Sequence, residues 1–128
     1  MIGINVFRAD GTLASDLFLI DSGADRTVFS ADLFQKLGQP AVPSARPALT
    51  GFGGGFPTVD VATTLEFRSL TNQHFLVPGV FAATTDPAAL HFGVLGRDAL
   101  DSFDVVLSRR QNEVLLLAGN HFYTVGHS

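Results

Sequence analysis

Short apolar segments with the two-residue period of β-strands follow one another along this chain, separated by glycine, proline and aspartate. In the segment from Val59 to Phe67, apolar or β-branched residues alternate with more polar ones, as in a strand with one buried face. Asp10 and Gly11 separate the first two apolar segments and are typical of a tight turn, which predicts an opening hairpin. The predicted strands cover residues 2–7, 13–20, 59–67, 75–82, 92–95, 104–107 and 113–117, the last two forming a second hairpin.

Only two stretches have the features of helices. Ser30 is a candidate N-cap for a helix over residues 31–37, and Gly38 supplies the stop signal. After Gly96, residues 98–103 predict one or two further helical turns.

The chain has 128 residues, of which 46% are hydrophobic and 16% charged, which suits one folded domain but not two. Segment 40–47 contains three prolines and is interpreted as a loop, and Pro78 with Gly79 predicts a bend or bulge inside a strand. We therefore expect a mainly β, barrel-like single domain over residues 1–128 with one or two short helices. Residues 120–128 are a tail without an assigned role.

The charge pattern argues against two classes of partner. Eight basic and twelve acidic residues give a net charge of −4, and the basic residues stand singly except for Arg109 and Arg110. Nucleic acids and anionic membranes are recognised through clusters of Lys and Arg, so neither is expected as a partner. No signal peptide or transmembrane segment is recognisable, which predicts a soluble chain and leaves its compartment undetermined.

The sequence also lacks the common cofactor motifs. It has no cysteine, which excludes zinc ribbons, iron–sulfur sites and thiol proteases. Its four histidines do not have the spacing of metal ligands. The glycine-rich tract 51–56 is not a dinucleotide fingerprint, because Phe56 takes the place of the third glycine. We therefore expect neither a metal nor an organic cofactor.

The most informative segment is an apolar strand that runs directly into an acid. Residues 17–20 are followed by Asp21, Ser22 and Gly23. Desolvation at the end of a buried strand opposes ionisation of a carboxylate, unless hydrogen bonds or a proton shared with a second acid compensate. Ser22 can donate such a bond, and Gly23 lets the backbone bring an amide close. By itself, the pattern equally fits a strand that ends in an Asx/Gly turn.

Three motifs, in order, resemble those of the retropepsin-like (retroviral-type) aspartic proteases. Residues 21–27, Asp-Ser-Gly-Ala-Asp-Arg-Thr, resemble the catalytic signature D-[ST]-G-A-D-x-T. Residues 50–55 resemble the glycine-rich flap, and residues 93–98 resemble the motif of two apolar residues, Gly, Arg and Asp or Asn. The resemblance extends over residues 2–117 and implies a single-lobe acid protease barrel with a flap hairpin.

The resemblance implies an aspartic endopeptidase that is active as a homodimer. In this family two facing aspartates share one proton and hold a water molecule, which attacks the peptide bond without a covalent intermediate. This chain contains one Asp-Ser-Gly and no second copy, so the family mechanism requires Asp21 from each of two subunits. Because the pair must keep one proton, we expect activity in acid.

The resemblance also implies roles for residues around Asp21. The resemblance implies that Asp25 pairs with the Arg97 guanidinium, which would fasten the catalytic loop to the following helix. Ser22 takes the place of the commoner Thr, and its hydroxyl is expected to make the contact across the dimer axis. With Gly23, these residues are the predicted active-site support around the catalytic Asp21.

The resemblance also implies a set of substrate-binding residues. Phe52 is expected at the tip of the flap, where its amide would meet bound peptide, and Arg26 is hypothesised to attract acidic groups of the substrate. The predicted set comprises Ala24, Arg26, Val28, Gly51, Phe52, Gly53, Phe92 and Val94.

Two apolar segments near the C-terminus, residues 103–107 and 114–117, are closer to cellular members of the family than to viral ones. They would contribute more than one strand per subunit to the dimer sheet. Two alternatives stay open: a non-catalytic peptide-binding or dimerisation module with the same fold, and an enzyme that is inactive until it is released from a precursor.

Overall fold

Eleven strands and two short helices make up the part of the chain that the computed structural model describes, namely residues 1–45, 48–50, 54–69, 71–108 and 113–118. The strands are β1 (Ile2–Phe7), β2 (Leu13–Ile20), β3 (Val28–Phe29), β4 (Ala41–Pro43), β5 (Ala48–Thr50), β6 (Gly54–Phe56), β7 (Val59–Arg68), β8 (His74–Ala83), β9 (Gly93–Leu95), β10 (Phe103–Ser108) and β11 (Glu113–Ala118). The helices are α1 (Ala31–Leu37) and α2 (Arg97–Leu100). The fold is therefore mainly β, as predicted.

Seven of these strands form one sheet in the order β1-β2-β9-β3-β8-β7-β4. Strand β1 also pairs with β7, so the six strands from β1 to β7 in this order close on themselves and β4 is attached outside the ring. The hairpins β1–β2 and β7–β8 are antiparallel, whereas β2 pairs with β9 in parallel. Closure leaves the barrel without a free edge along β1.

Two hairpins lie outside this sheet in the described part of the chain. Strands β10 and β11 pair from Phe103 with Ala118 to Ser108 with Glu113. Strands β5 and β6 pair from Ala48 with Phe56 to Thr50 with Gly54, around the glycine-rich tract. The predicted C-terminal hairpin is thereby confirmed.

Helix α1 begins and ends where the sequence predicts. The Ser30 hydroxyl accepts a hydrogen bond from the Leu33 N–H at 3.2 Å, which caps the first turn. Gly38 ends the helix with φ of +62°, a conformation that favours glycine. No helix in the described ranges is long and apolar enough to cross a membrane.

Two structural predictions that were based on proline residues are wrong. Segment 40–47 is not all loop, because Ala41–Pro43 forms β4 and pairs with residues 59–61 of β7. Pro78 and Gly79 make no bulge, because β7 and β8 pair residue for residue along their whole length.

The side of β8 toward which the Pro78 nitrogen points explains why β7 and β8 pair without a bulge. The N–H groups of Ala82 and Thr84 donate toward the β3 side, to Thr27 and Phe29. Alternate residues of a strand point their N–H groups to the same side, so the Pro78 nitrogen also faces that side. On that side of β8, β3 pairs only with Ala82 and Ala83. The pairing of β8 with β7 is on the other side, so it does not require the N–H that Pro78 lacks.

A group of aromatic rings fills the barrel. Phe18 packs edge-on against Phe29 with ring centroids 6.0 Å apart, and Phe81 lies 5.8 Å from Phe29. All three side chains are buried, together with aliphatic residues of β1 and β7. Gly93 on β9 leaves room for this group, because a Cβ there would lie 2.4 Å from the Phe18 ring.

Glu66 is a buried acid on β7 and is held by three side chains. Its Oε1 accepts from the Asn5 amide at 2.8 Å and lies 3.5 Å from Arg68, and its Oε2 lies 3.1 Å from Nδ1 of His74. These contacts, the Asn5 hydrogen bond first, outweigh desolvation and lower the pKa of Glu66 below its ordinary value of 4.5.

We expect Glu66→Gln to destabilise the fold at neutral pH and much less in acid. At pH 7 the loss of charge-assisted hydrogen bonds should cost about 1 kcal/mol of unfolding free energy. A carboxylate with a lowered pKa stabilises the fold above its unfolded pKa, and the contribution disappears as pH falls through the folded value. The difference from wild type should therefore shrink below pH 4.5.

Urea denaturation at a series of pH values measures this difference. Asp101→Asn removes one charge at an exposed carboxylate and serves as the control; its effect should stay within about 0.5 kcal/mol. A Glu66→Gln effect that is equal at pH 7 and pH 3 would contradict the assignment.

Candidate active site

Asp21 directly follows β2 and is held by the neighbouring strand. Its N–H donates to the Leu95 carbonyl at 3.0 Å, which continues the parallel pairing of β2 with β9. Its Oδ1 accepts from the Gly23 N–H at 2.9 Å, and its carbonyl accepts from the Ala24 N–H at 3.1 Å. The half-buried Asp21 carboxylate is therefore fixed in a tight turn at the C-terminal end of a barrel strand.

We call residues 21–27 the Asp21 loop. Ser22 and Gly23 are exposed at its start, whereas Ala24 is buried. A Cβ on Gly23 would lie 3.1 Å from the Asp21 Oδ1, so a side chain at this position would crowd the carboxylate. Glycine thus allows the close approach of the amide that the sequence predicts.

The far end of the Asp21 loop is fastened to the start of α2 through Thr27. The Oδ1 of Asp98 accepts from the Thr27 N–H at 2.8 Å and from its hydroxyl at 2.7 Å. The Thr27 hydroxyl oxygen in turn accepts a hydrogen bond from the Gly96 N–H at 3.1 Å. Since Thr27 has no exposed surface, these bonds satisfy groups that water cannot reach.

Gly96 is required by the closeness of the two backbones. A Cβ on this residue would lie 2.4 Å from the Arg26 carbonyl carbon and oxygen and 2.9 Å from the Thr27 nitrogen. Those atoms belong to main chain that is held by hydrogen bonds, so the crowding could not be relieved by a side-chain rotation.

The sequence assigned the fastening of this loop to Arg97, and the structure gives that role to other groups. Among the described residues no ion pair joins Arg97 to Asp25. The Arg97 side chain is exposed, and its backbone N–H donates to the Ala24 carbonyl at 2.9 Å. The main fastening residue is Asp98, which the sequence reasoning quoted in a motif but gave no role.

Arg26 forms an ion pair with Asp60 on β7. Its Nη1 lies 2.9 Å from the Asp60 Oδ1, and its Nη2 donates to the Val80 carbonyl at 3.3 Å. The Ser44 hydroxyl also donates to the Asp60 Oδ1, at 2.5 Å. The Ser44 hydrogen bond first, and then Arg26, lower the pKa of Asp60 against the opposing effect of desolvation. The charge of Arg26 is therefore balanced within the same chain.

Apart from Arg26, the predicted substrate-binding residues divide into three groups. Ala24, Val28 and Val94 have no exposed surface and pack with Ala82 and Leu90 in a small cluster beside the main core. Phe92 is half-buried just before β9. The remaining three, Gly51, Phe52 and Gly53, lie outside the described residues.

No three acidic or histidine side chains in the described ranges come together as metal ligands would.

Comparisons with known proteins bear on the family and on the fold. A family model described as aspartyl protease matches residues 10–99. Among solved structures, EIAV protease complexed with the inhibitor HBY-793 is similar to this chain at 20% identity, with a TM-score of 0.53, over 78% of this chain and 83% of that one. This likeness confirms the predicted single-lobe, retropepsin-like fold. No curated protein matches significantly.

We expect Gly96→Ala to destabilise the fold by about 2 kcal/mol, because the added methyl would press on main-chain atoms. Thermal and urea denaturation measure the change. Gly3→Ala is the matched control: a Cβ on Gly3 would meet nothing within 4 Å, so this variant should be as stable as wild type or slightly more so. Equal stabilities of the two variants would contradict the close packing of Gly96.

We expect Asp98→Ala to cost about 2 kcal/mol, since it leaves the buried Thr27 N–H and hydroxyl without their acceptor. Asp98→Asn keeps an acceptor oxygen and should lose less than half as much. Asp101→Ala changes the exposed residue directly after α2 and is the control in the same denaturation series. If Asn and Ala at position 98 are equally destabilising, the hydrogen-bonding role of Asp98 is wrong.

Proposed function

The chain belongs to the aspartyl protease family, and on this premise we propose that it is an aspartic endopeptidase that is active as a homodimer with Asp21 as its catalytic residue. The observation that carries the proposal is the position of Asp21 at the end of β2, with its carboxylate oriented by the Gly23 amide and its loop fastened to α2. The proposed domain is the whole chain, residues 1–128.

Two Asp21 carboxylates, one from each subunit, would hold one proton and one water molecule between them. The ionised carboxylate takes a proton from the water molecule as the water oxygen attacks the peptide carbonyl carbon. The protonated carboxyl group gives its proton to the carbonyl oxygen. The carboxyl group that gained the water proton then gives a proton to the amide nitrogen, and the other carboxylate takes a proton from a hydroxyl of the tetrahedral diol. The C–N bond breaks, which releases a carboxylic acid and an amine. Ser22 and Asp25 would support this centre, the first across the dimer axis and the second toward the substrate backbone.

Two features support a homodimer. The chain has one Asp-Ser-Gly sequence and can therefore supply only one half of a facing pair. In the described residues β10 and β11 pair only with each other, and a two-stranded sheet is marginally stable without further strands or packing. Strands of a second subunit would extend this sheet, and the two Asp21 loops would meet on the axis.

Bound peptide would lie extended between the Asp21 loop and the β5–β6 hairpin, pairing with main chain on both sides. The hairpin would act as the flap that excludes water from the reacting groups. Ala24, Val28, Phe92 and Val94 would then contribute apolar walls. Since Ala24, Val28 and Val94 have no exposed surface in this structure, this role requires movement of the groups that cover them.

We expect Asp21→Asn to abolish cleavage of a peptide library, with a loss of about 10³-fold or more in kcat/KM, because an amide cannot serve as the base. The variant should still dimerise in sedimentation experiments, since Asn keeps the size of Asp. Asp32→Asn removes a carboxylate on the exposed face of α1 and should cleave like wild type.

Cleavage that survives in Asp21→Asn would contradict the catalytic assignment. A well-formed wild-type dimer that cleaves no peptide at any pH tested would instead favour the peptide-binding module. A wild-type protein that cleaves as a monomer would contradict the shared site.

A further inference from the structure

A chain of side-chain hydrogen bonds crosses the base of the β5–β6 hairpin. Ser44 and Thr58 lie just before and just after the segment that contains this hairpin. The Ser44 N–H donates to the Thr58 carbonyl at 3.0 Å, and the Thr58 hydroxyl donates to the Ser44 hydroxyl oxygen at 2.7 Å. The two ends of the segment are thereby tied together.

The same chain of hydrogen bonds continues to the Asp21 loop. The Ser44 hydroxyl donates to the Asp60 Oδ1 at 2.5 Å, and the Arg26 guanidinium contacts that same oxygen at 2.9 Å. Arg26 is part of the Asp21 loop, and it is also fixed by its contact with the Val80 carbonyl. The carboxylate of Asp60 is therefore the joint between the base of the hairpin and the loop that carries Asp21.

We propose that Asp60 is a positioning residue that holds the base of the β5–β6 hairpin against the Asp21 loop. The inference rests on the proposed function, because the hairpin matters for activity only if it covers bound peptide. We name Thr58, Ser44, Asp60 and Arg26 the base clamp.

The order of donors explains why an acid stands at position 60. Thr58 donates to Ser44, and Ser44 uses its single hydroxyl proton on Asp60. The guanidinium brings only donors and a positive charge, so the joint must be an acceptor, and a carboxylate makes the stronger, charge-assisted hydrogen bond. The side chains of Arg26 and Asp60 are only 23% and 25% exposed, and water competes weakly for the pair.

The position of Asp60 in the sheet makes the clamp a fixed support. Asp60 pairs with Val42 of β4 on one side and with Ala82 of β8 on the other. Its main chain is therefore held in place from both sides. The clamp sets the position of Ser44 and Thr58 relative to the Asp21 loop.

The test uses hydrogen exchange together with kinetics on the full-length dimer. Asp60→Asn removes the charge, and Thr58→Val removes the first hydroxyl with little change of shape. In both variants exchange of residues 44–58 should become faster, by about tenfold in Asp60→Asn, while exchange of β1 and β2 stays as in wild type. The KM for a cleaved peptide should rise about fivefold in Asp60→Asn with kcat changed less than twofold, since the clamp orients the hairpin and not the reacting groups.

Asp32→Asn is the matched control, because it removes a carboxylate from an exposed pair with Lys36 that lies on α1, and it should change neither readout. Unchanged exchange and KM in both clamp variants overturn the proposal. Faster exchange spread evenly over the molecule also overturns it, because Asp60 would then support the whole fold. If the wild-type dimer cleaves no peptide, the proposed function fails, while local exchange still decides whether the clamp holds the hairpin.

Discussion

The two hydrogen bonds from Thr27 to Asp98 fix the position of the Asp21 loop, and the rest of the candidate site follows from them. Strand β2 determines where the loop begins, but a strand end alone leaves the direction of the following residues open. Thr27 is wholly buried and takes a further hydrogen bond from Gly96, so loop and helix meet as two main chains in contact. The loop is therefore held at its start by the pairing of Asp21 with Leu95 and at its far end by Asp98 of α2.

On β7, two carboxylates that are wholly or partly shielded from water are each matched by hydrogen-bond donors. Glu66 lies in the sheet among Asn5, His74 and Arg68, and Asp60 lies between Ser44 and Arg26. Each carboxylate accepts hydrogen bonds that favour its charged form, and the pKa of each is lowered. Both side chains lie at even positions of β7, on the face opposite the core residues Val61, Leu65 and Phe67. Such matching compensates these carboxylates for the water they lose on the outer face of the sheet.

Local features were the ones that the sequence predicted well. Helix α1 is bounded by Ser30 and Gly38, whose effects act within one turn, and strands β1 and β2 have the predicted bounds because both alternation and turn are local. The motif at residues 21–27 likewise pointed to the loop after β2, while the catalytic role of Asp21 stays a prediction. Strand β4 was missed because it exists through pairing with residues 59–61, against the local preference of Pro40 and Pro43.

The side-chain partners were harder to predict for the same reason. The motif at residues 93–98 brings Arg97 and Asp98 to the loop together, and only the structure distinguishes which side chain reaches Thr27. The pairing of Arg26 with Asp60 spans 34 positions and follows no sequence spacing. The absence of a bulge at Pro78 depends on where β3 begins, which no local pattern records.

The contact between Thr27 and Asp98 also determines when the Asp21 loop can take its final form during folding. Its two residues are 71 positions apart, so closing this loop carries a large entropic cost early in folding. As the chain leaves the ribosome, Asp21 emerges long before its loop has anything to attach to, and the acidic turn acquires its final form only once residue 98 has been added. A nascent chain therefore acquires the fastened form of the Asp21 loop only after most of its barrel has been synthesised.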